Sequence, residues 1–330
     1  MLLLSREDIQ KVFSMKDAIL AVEDGFRLFS DNKVCVPLRT VIPAEDTNGT
    51  FLFMPAYCAQ LGCASMKIIN IFPDNRKKGL STFPAQVLLL DAENGMPVAS
   101  LDGTYVTQLR TGAASGAALK WLARQDCEKG ALIGAGGQAR TQLLAMLEAR
   151  SLKEVAVFDP YEALCREFVE QMNVECAGKN VRITCAASGN AAVQDADVII
   201  TVTPSKQPVF DGGLVKPGVT ISAVGSYKPD MEEIDPVLVQ RAARIYCDST
   251  EAVLAEAGDV IIPLHDGTIT MEKFAGDLGQ LLNGSIPGRK NDGEILLFET
   301  VGIGIQDLIT AKRIYDAAQA AAEPVGYQWG

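Results

Sequence analysis

Lys129-Gly130-Ala131-Leu132-Ile133-Gly134-Ala135-Gly136-Gly137-Gln138-Ala139-Arg140 is the stretch on which the fold turns. Ala131 to Ile133 make a short apolar run of the kind buried in a parallel sheet, and Gly134-x-Gly136-x-x-Ala139 places a tight turn directly after it. Leu143, Leu144, Met146 and Leu147 then recur at helical spacing, and Val155 to Phe158 form a second apolar run that ends at Asp159. Strand, glycine turn, helix, strand and acid, in that order, make a dinucleotide-binding unit of the Rossmann type.

Each position in the unit has a physical task. Gly134 permits the sharp exit from the strand, Gly136 lets the backbone approach a pyrophosphate, and the small Ala139 lets helix and strand pack closely. The phosphates then meet the free N–H groups and positive end of the helix. Asp159 follows at about the 20-residue spacing from which a carboxylate accepts hydrogen bonds from ribose hydroxyls. A carboxylate there repels a 2′-phosphate, so NAD(H) is expected ahead of NADP(H).

A chain of 330 residues that is 48% hydrophobic and 22% charged can bury a large core and suggests about two domains. Its net charge of −11 speaks against nucleic acid and anionic membrane as partners. No apolar run has the length of a membrane helix, and no basic stretch with an apolar core opens the chain, so a cytoplasmic location is expected. The eight cysteines form no C-x-x-C pair and are expected as reduced, mostly buried thiols, with no metal site. His265 is the only histidine, which excludes a His-based zinc site, a Ser-His-Asp triad or a His general base over most of the chain. It reads as a loop residue near Pro263 and Gly267.

Ser14-x-x-Asp17 has the form of a capping box, and Ala18, Ile19, Val22, Phe26 and Phe29 give the helix after it an apolar face. Strands are expected over Val36 to Ile42, Thr50 to Met54, Cys63 to Ile71 and Ala85 to Asp91, and Glu93-Asn94-Gly95 turns the chain into a hairpin partner at Pro97 to Asp102. A helix of small residues spans Thr104 to Leu122. Beyond the glycine turn, Tyr161 to Met172 reads as helix, Val181 to Cys185 as strand, Asn190 to Asp195 as short helix, and Asp197 to Val202, Val219 to Val224 and Arg244 to Cys247 as further strands. Glu272 to Leu282 is expected as a helix, and Phe298 to Ala321 as a long final one. The fold class is therefore α/β, a doubly wound parallel Rossmann sheet joined to a mixed α/β domain.

Three basic residues fall inside apolar patterns: Arg39 in an expected strand, Lys67 between Met66 and Ile68, and Arg110 on the small-residue helix. Buried charge is unfavourable unless paired or used. Two guanidiniums and an ammonium would hold a small carboxylate, with the lysine as a movable proton. Pattern alone favours alternation that points each of them outward. Thr201 and Thr203, in Thr201-Val202-Thr203-Pro204, either line the cofactor or merely close a strand that proline stops.

At these residues the chain resembles the ornithine cyclodeaminase and mu-crystallin family over nearly its whole length. The stretches that carry the likeness are Ser65-Met66-Lys67-Ile68, Thr82 with Val87 to Asp91, Leu101-Asp102-Gly103, Leu109-Arg110-Thr111, Gly134 to Ala139, Asp197 to Thr203, Ala223 to Ser226, Gly258-Asp259-Val260, Val301-Gly302 and Gln306-Asp307. The resemblance implies a substrate-binding and dimerisation domain from residues 1–115 with 300–330, and a Rossmann NAD-binding domain from 116–299. It implies that Arg39, Lys67, Arg110 and Val301 meet the substrate, and that Thr82, Arg110, Gly137, Gln138, Asp159, Thr201, Thr203, Val224 and Thr300 meet the cofactor. A homodimer is implied as well.

One departure bears on the chemistry. Cyclodeaminases of this family carry an aspartate where Gly225-Ser226 is here followed by Tyr227, and the later lysine is Met231. That is similar to the ketimine-reductase branch. The expectation is an NAD(P)H-dependent reductase of a small cyclic imino acid, of pyrroline-2-carboxylate or piperideine-2-carboxylate type. Arg39 and Arg110 would clamp the carboxylate, Lys67 would supply the proton, and Tyr227 would stand second as a proton source. Ornithine cyclodeamination, amino-acid dehydrogenation of alanine or opine type, and a non-catalytic binding protein are the alternatives.

Overall fold

The computed structural model describes residues 1–329. By internal contacts the chain falls into two compact units, Met1–Arg110 with Ile303–Gly330, and Thr111–Gly302. In chain order the first contains β1 (Leu2–Leu4), α1 (Arg6–Val12), α2 (Met15–Ser30), β2 (Thr40–Ala44), β3 (Gly49–Cys58), β4 (Cys63–Ile71), β5 (Ala85–Asp91) and β6 (Pro97–Asp102). Helix α3 (Gly103–Leu122) carries the chain over the boundary. The second unit holds β7 (Lys129–Ile133), α4 (Ala139–Ala149), β8 (Glu154–Phe158), α5 (Glu162–Glu175), β9 (Arg182–Cys185), α6 (Gly189–Val193), β10 (Val198–Thr201) and β11 (Thr220–Ala223). It continues through α7 (Pro236–Arg241), β12 (Arg244–Cys247), α8 (Thr250–Glu256), α9 (Gly258–His265), β13 (Phe274–Asp277), α10 (Leu278–Leu282) and β14 (Leu296–Glu299). The chain then returns to the first unit with α11 (Gly304–Ala320) and β15 (Tyr327–Gln328).

The first unit is a seven-stranded sheet in the order β15-β1-β6-β5-β4-β3-β2, antiparallel except where β1 pairs β6. Ser14 and Asp17 cap α2 reciprocally, and Ala18, Ile19, Val22 and Phe26 form its buried face. Helix α11 lies against α2 so closely that a Cβ on Gly25 would sit 3.0 Å from Ile309. Because side chains alternate along a strand, Cys63, Ser65 and Lys67 share the inward face of β4.

The second unit is an eight-stranded, wholly parallel sheet, β13-β12-β14-β11-β10-β7-β8-β9. Strand β7 lies third from one edge, and the winding reverses between β7 and β10, where sheets of this kind bind ligands at their carboxyl edge. Both sides of β10, β11 and β14, and of β7 and β12 beyond their first residue, are buried, so their apolar runs read continuously and not alternately.

Four expectations need correction. Arg39 is not in a strand: β2 begins at Thr40, and the preceding segment only bridges to β3 at Cys35 and Tyr57. The helix expected over residues 272–282 is half strand, because Phe274–Asp277 adds to the sheet beside β12 and only Leu278–Leu282 is helical. Gly276, at φ +128°, has a backbone that a helix cannot adopt. The long final helix begins at Gly304, and Phe298 lies on β14, a buried strand between β11 and β12. His265 ends helix α9 and is not a loop residue.

Candidate functional site

In the first unit a charged cluster is built where β4, α3 and α11 supply facing side chains. Lys67 is 1% exposed, and its Nζ lies 2.7 Å from Asp307 Oδ2. Arg110 Nε donates to the other oxygen, Asp307 Oδ1, at 3.1 Å, and its Nη1 donates to Gln306 Oε1 at 2.6 Å. One carboxylate thus serves two cations. Burial first, then Arg110 and, more weakly, Arg39 push the Lys67 ammonium down, Asp307 opposes them, and together they bring it to about 7. The cluster holds more positive than negative charge, and a ligand carboxylate would redress it.

The outward reading of the basic trio therefore fails for Lys67 and Arg110, which are buried, while Arg39 is half-buried. Thr82 sits half-buried in the loop before β5, where its carbonyl accepts from the Phe72 N–H at 2.9 Å.

In the second unit the carboxyl ends of β7, β8, β10, β11 and β14 carry the remaining candidates. Gly134 follows β7 with φ +106°, and a Cβ there would come within 2.8 Å of the Val202 carbonyl oxygen, so the turn needs glycine for the protein's own sake. Gly136 differs. A Cβ on it would meet nothing within 4 Å, and Gly136 and Gly137 are exposed. Gln138 begins α4 without a side-chain capping bond, and Ala139 packs fully buried beneath the turn. An open glycine backbone before an uncapped helix of 11 residues fits a pyrophosphate.

Asp159 follows β8. Its Oδ2 accepts the Ala135 N–H and its Oδ1 the Tyr161 N–H, each at 2.9 Å. The carboxylate is thereby oriented at the turn, with lone pairs left for ribose hydroxyls. Thr201 ends β10 fully buried, Thr203 beyond it packs its methyl 3.1 Å from the Cβ position of Gly134, and the Val224 N–H donates to Thr201 O at 3.0 Å.

Thr300 is turned away from ligand duty on its side-chain face. Its hydroxyl donates to Asp248 Oδ2 at 2.6 Å, the Gly302 N–H donates to the same oxygen at 2.7 Å, and the Thr300 N–H donates to Ala223 O at 3.1 Å. Tyr227 is half-buried with the Lys228 ammonium 5.9 Å from its ring centre. Burial first, and then Asp230, push its phenol upward, which suits a hydrogen-bond donor better than a proton source at neutral pH.

Sequence reasoning missed the residues that hold this edge together. Glu233 is fully buried, and its carboxylate accepts the N–H groups of Thr203 and Gly225, tying the end of β10 to that of β11. Burial pushes it up to about 7. Asp259 accepts the Glu233 and Ile234 N–H groups at 2.6 and 2.9 Å, and its own N–H reaches Ser226 Oγ, so the Tyr227 loop is fixed at its base. Asp307 was missed in the same way, since an acid on a mixed helix looks like a surface charge. Asp259 and Asp307 stood in two of the stretches that carry the family likeness but had no role assigned, and in the structure a Cβ on Gly225 or Gly258 would meet Thr203 O or Met231 O at 2.1 and 2.0 Å.

The sequence profile of the ornithine cyclodeaminase/mu-crystallin family matches residues 1–322. A Delta(1)-pyrroline-2-carboxylate reductase of Bacillus cereus is 34% identical over 318 residues, covering 96% of this chain and 97% of the relative. Among solved structures, the Thermococcus litoralis Delta(1)-pyrroline-2-carboxylate reductase in complex with NADH and L-proline is 39% identical, with a TM-score of 0.94 and 100% of both chains covered. An archaeal alanine dehydrogenase dimer with bound NAD is 32% identical, with a TM-score of 0.90, over 100% of this chain and 99% of that one.

Proposed function

Because this chain belongs to the ornithine cyclodeaminase/mu-crystallin family, we propose that it is an NADH-dependent reductase that converts a small cyclic imino acid, such as Δ1-pyrroline-2-carboxylate, to the L-amino acid. The observation that carries the proposal is the buried Lys67–Asp307–Arg110 cluster, a cationic site with an acid whose proton leaves near neutrality.

Gly134, Gly136, Gly137, Gln138 and Ala139 would hold the pyrophosphate of NAD(H), Asp159 the adenosine ribose, and Thr82, Thr201, Thr203 and Val224 the rest of the cofactor. When bound, NADH supplies the hydride that reduces the C=N carbon. Arg39 and Arg110 bind the substrate carboxylate, and the planar guanidiniums set its orientation. Lys67 Nζ delivers a proton to the imine nitrogen, and Asp307 and Arg110 hold the ammonium in position for that transfer. A bound carboxylate raises the affinity of Lys67 for its proton, so the acid is loaded when substrate is present. Tyr227 supplies a neutral hydroxyl where a cyclodeaminase would pair a carboxylate with a second ammonium group. Its presence favours an imine substrate over a diamino acid.

We further infer that the protein works as a homodimer through the free edge of the first sheet. Strand β2 lies at that edge, and Val41, Ile42 and Phe51, with Leu38 nearby, are exposed apolar residues; Ile42 and Phe51 are direct cross-strand partners.

The test is NADH absorbance with a panel of substrates. Δ1-Pyrroline-2-carboxylate and Δ1-piperideine-2-carboxylate are expected to oxidise NADH with the highest kcat/KM, ahead of 2-oxo acids with ammonia. Conversion of L-ornithine to proline and ammonia with catalytic NAD⁺, or a preference for pyruvate with ammonia, would replace the reductase reading.

A further inference from the structure

Six of the eight cysteines are buried and only Cys35 and Cys185 are exposed, so an external reagent meets those two first. Cys185 is the last residue of β9, at the carboxyl edge of the parallel sheet. Its Sγ lies 3.1 Å from Sγ of Cys165, in the first half of α5. A disulfide bond is roughly 2 Å long, so closure needs a movement of about 1 Å. The two side chains are already side by side: Cys165 Sγ lies 3.5 Å from the Val157 carbonyl oxygen, and Val157 is the strand partner of Cys185.

A short relay runs from this pair to the glycine turn. The Cys165 N–H donates to Tyr161 O at 3.1 Å, the Tyr161 N–H to Asp159 Oδ1 at 2.9 Å, and Asp159 Oδ2 accepts the Ala135 N–H at 2.9 Å. Drawing Cys165 toward β9 therefore pulls on the carboxylate read above as the ribose ligand. We propose that Cys165 and Cys185 form a reversible disulfide that weakens NADH binding, making this thiol pair an oxidation switch on the cofactor site. The switch rests on the cofactor reading given above.

The oxidant is a hydroperoxide. The Cys185 thiolate attacks one peroxide oxygen, the O–O bond breaks, and a sulfenic acid and a water or alcohol result. Cys165 then attacks the sulfenyl sulfur; the S–S bond forms, the S–O bond breaks, and the hydroxyl leaves as water with the Cys165 proton. Two thiols lose two electrons and the peroxide gains them. Burial and the adjoining thiol push Cys165 up to about 12, so Cys185 is the group that reacts first.

The experiment treats the full-length, fully reduced protein with hydrogen peroxide, maps its peptides without reduction, and titrates NADH by fluorescence before and after. The expected result is a Cys165–Cys185 linked peptide, a rise in the NADH Kd of at least about fivefold, the lower range for coupled sites, and recovery of both with dithiothreitol. Cys185→Ser, a conservative change at an exposed position, should bind NADH as the reduced protein does and ignore peroxide; Cys165→Ser should do the same. Cys185 driven to sulfinic acid while Cys165 stays a thiol, or linkage between Cys58 and Cys63 in its place, would overturn the proposal. So would the expected linkage with an unchanged Kd. Reduced protein that binds no NADH would overturn the cofactor reading and the switch with it, while the peptide map still decides whether the pair joins.

Discussion

A lysine with 1% of its side chain exposed, beside a guanidinium, does not keep an ordinary ammonium, and the consequence is kinetic. If Lys67 must be protonated to act, kcat/KM is level below about pH 7 and falls as pH rises through that value. In the complex the substrate carboxylate holds the proton more tightly, so the limb in kcat lies at higher pH. Asp307→Asn removes the anion that favours the ammonium and should move the kcat/KM limb to lower pH, whereas a merely structural defect would lower the rate without moving it. Lys67→Ala should reduce kcat by about 10²- to 10⁴-fold, with NADH affinity, read by fluorescence, unchanged. Lys67 and Arg110 were legible in the sequence as charges inside apolar runs. The roles of Asp307, Glu233 and Asp259 were not, although Asp259 and Asp307 lie in stretches that carry the family likeness, because in a chain of net charge −11 one more acid among acids carries no periodic pattern.

At the scale of elements, the glycine turn separates two demands that the sequence motif merges. Gly134 is required by φ +106° and the Val202 carbonyl, so Gly134→Ala should destabilise the second unit by about 1–3 kcal/mol, visible as a lower melting temperature without any ligand. Gly136 has open space around its Cβ position, so Gly136→Ala should melt like the wild type and lose NADH affinity. A Gly136→Ala variant that binds NADH normally would remove the pyrophosphate from this turn. The strands β4, β5, β6 and β12 were readable to the residue, since alternation or a dense β-branched run bounded by turn residues leaves little freedom. Residues 272–282 and 298–321 were misread for a common reason. Each has a four-residue strand ahead of its helix, half-buried Phe274–Asp277 in one case and buried Leu296–Glu299 in the other, and a run that short does not distinguish strand from helical turn until its neighbours in the sheet are known.

Over the whole molecule, the doubly wound sheet was legible because a single local unit dictates it, while the buried acids at its edge express only tertiary structure. Glu299 is fully buried, and neither carboxylate oxygen has a hydrogen-bond partner among the described residues. Burial first, then Asp259, Glu233 and Asp248, hold it well above the usual carboxylate range. A carboxyl with a raised native pKa adds stability below its unfolded value, near 4.3, and that contribution disappears as pH rises through the native value. Glu299→Gln should therefore match the wild type in thermal stability near pH 5, exceed it near pH 8 and flatten the decline between them. The proposed assembly is tested by light scattering after size exclusion: the wild type should show twice the chain mass, and Ile42→Glu, a charge on the apolar edge, should show one. The central claim is that a hydride passes to an imine carbon of a small carboxylate held by Lys67, Arg110 and Arg39. It is tested most directly by NMR of the product formed from Δ1-pyrroline-2-carboxylate and NADH carrying deuterium in both C4 positions. The predicted result is L-proline with one deuterium at Cα for each NADH consumed; no NADH consumption, or proline without deuterium at Cα, would contradict it.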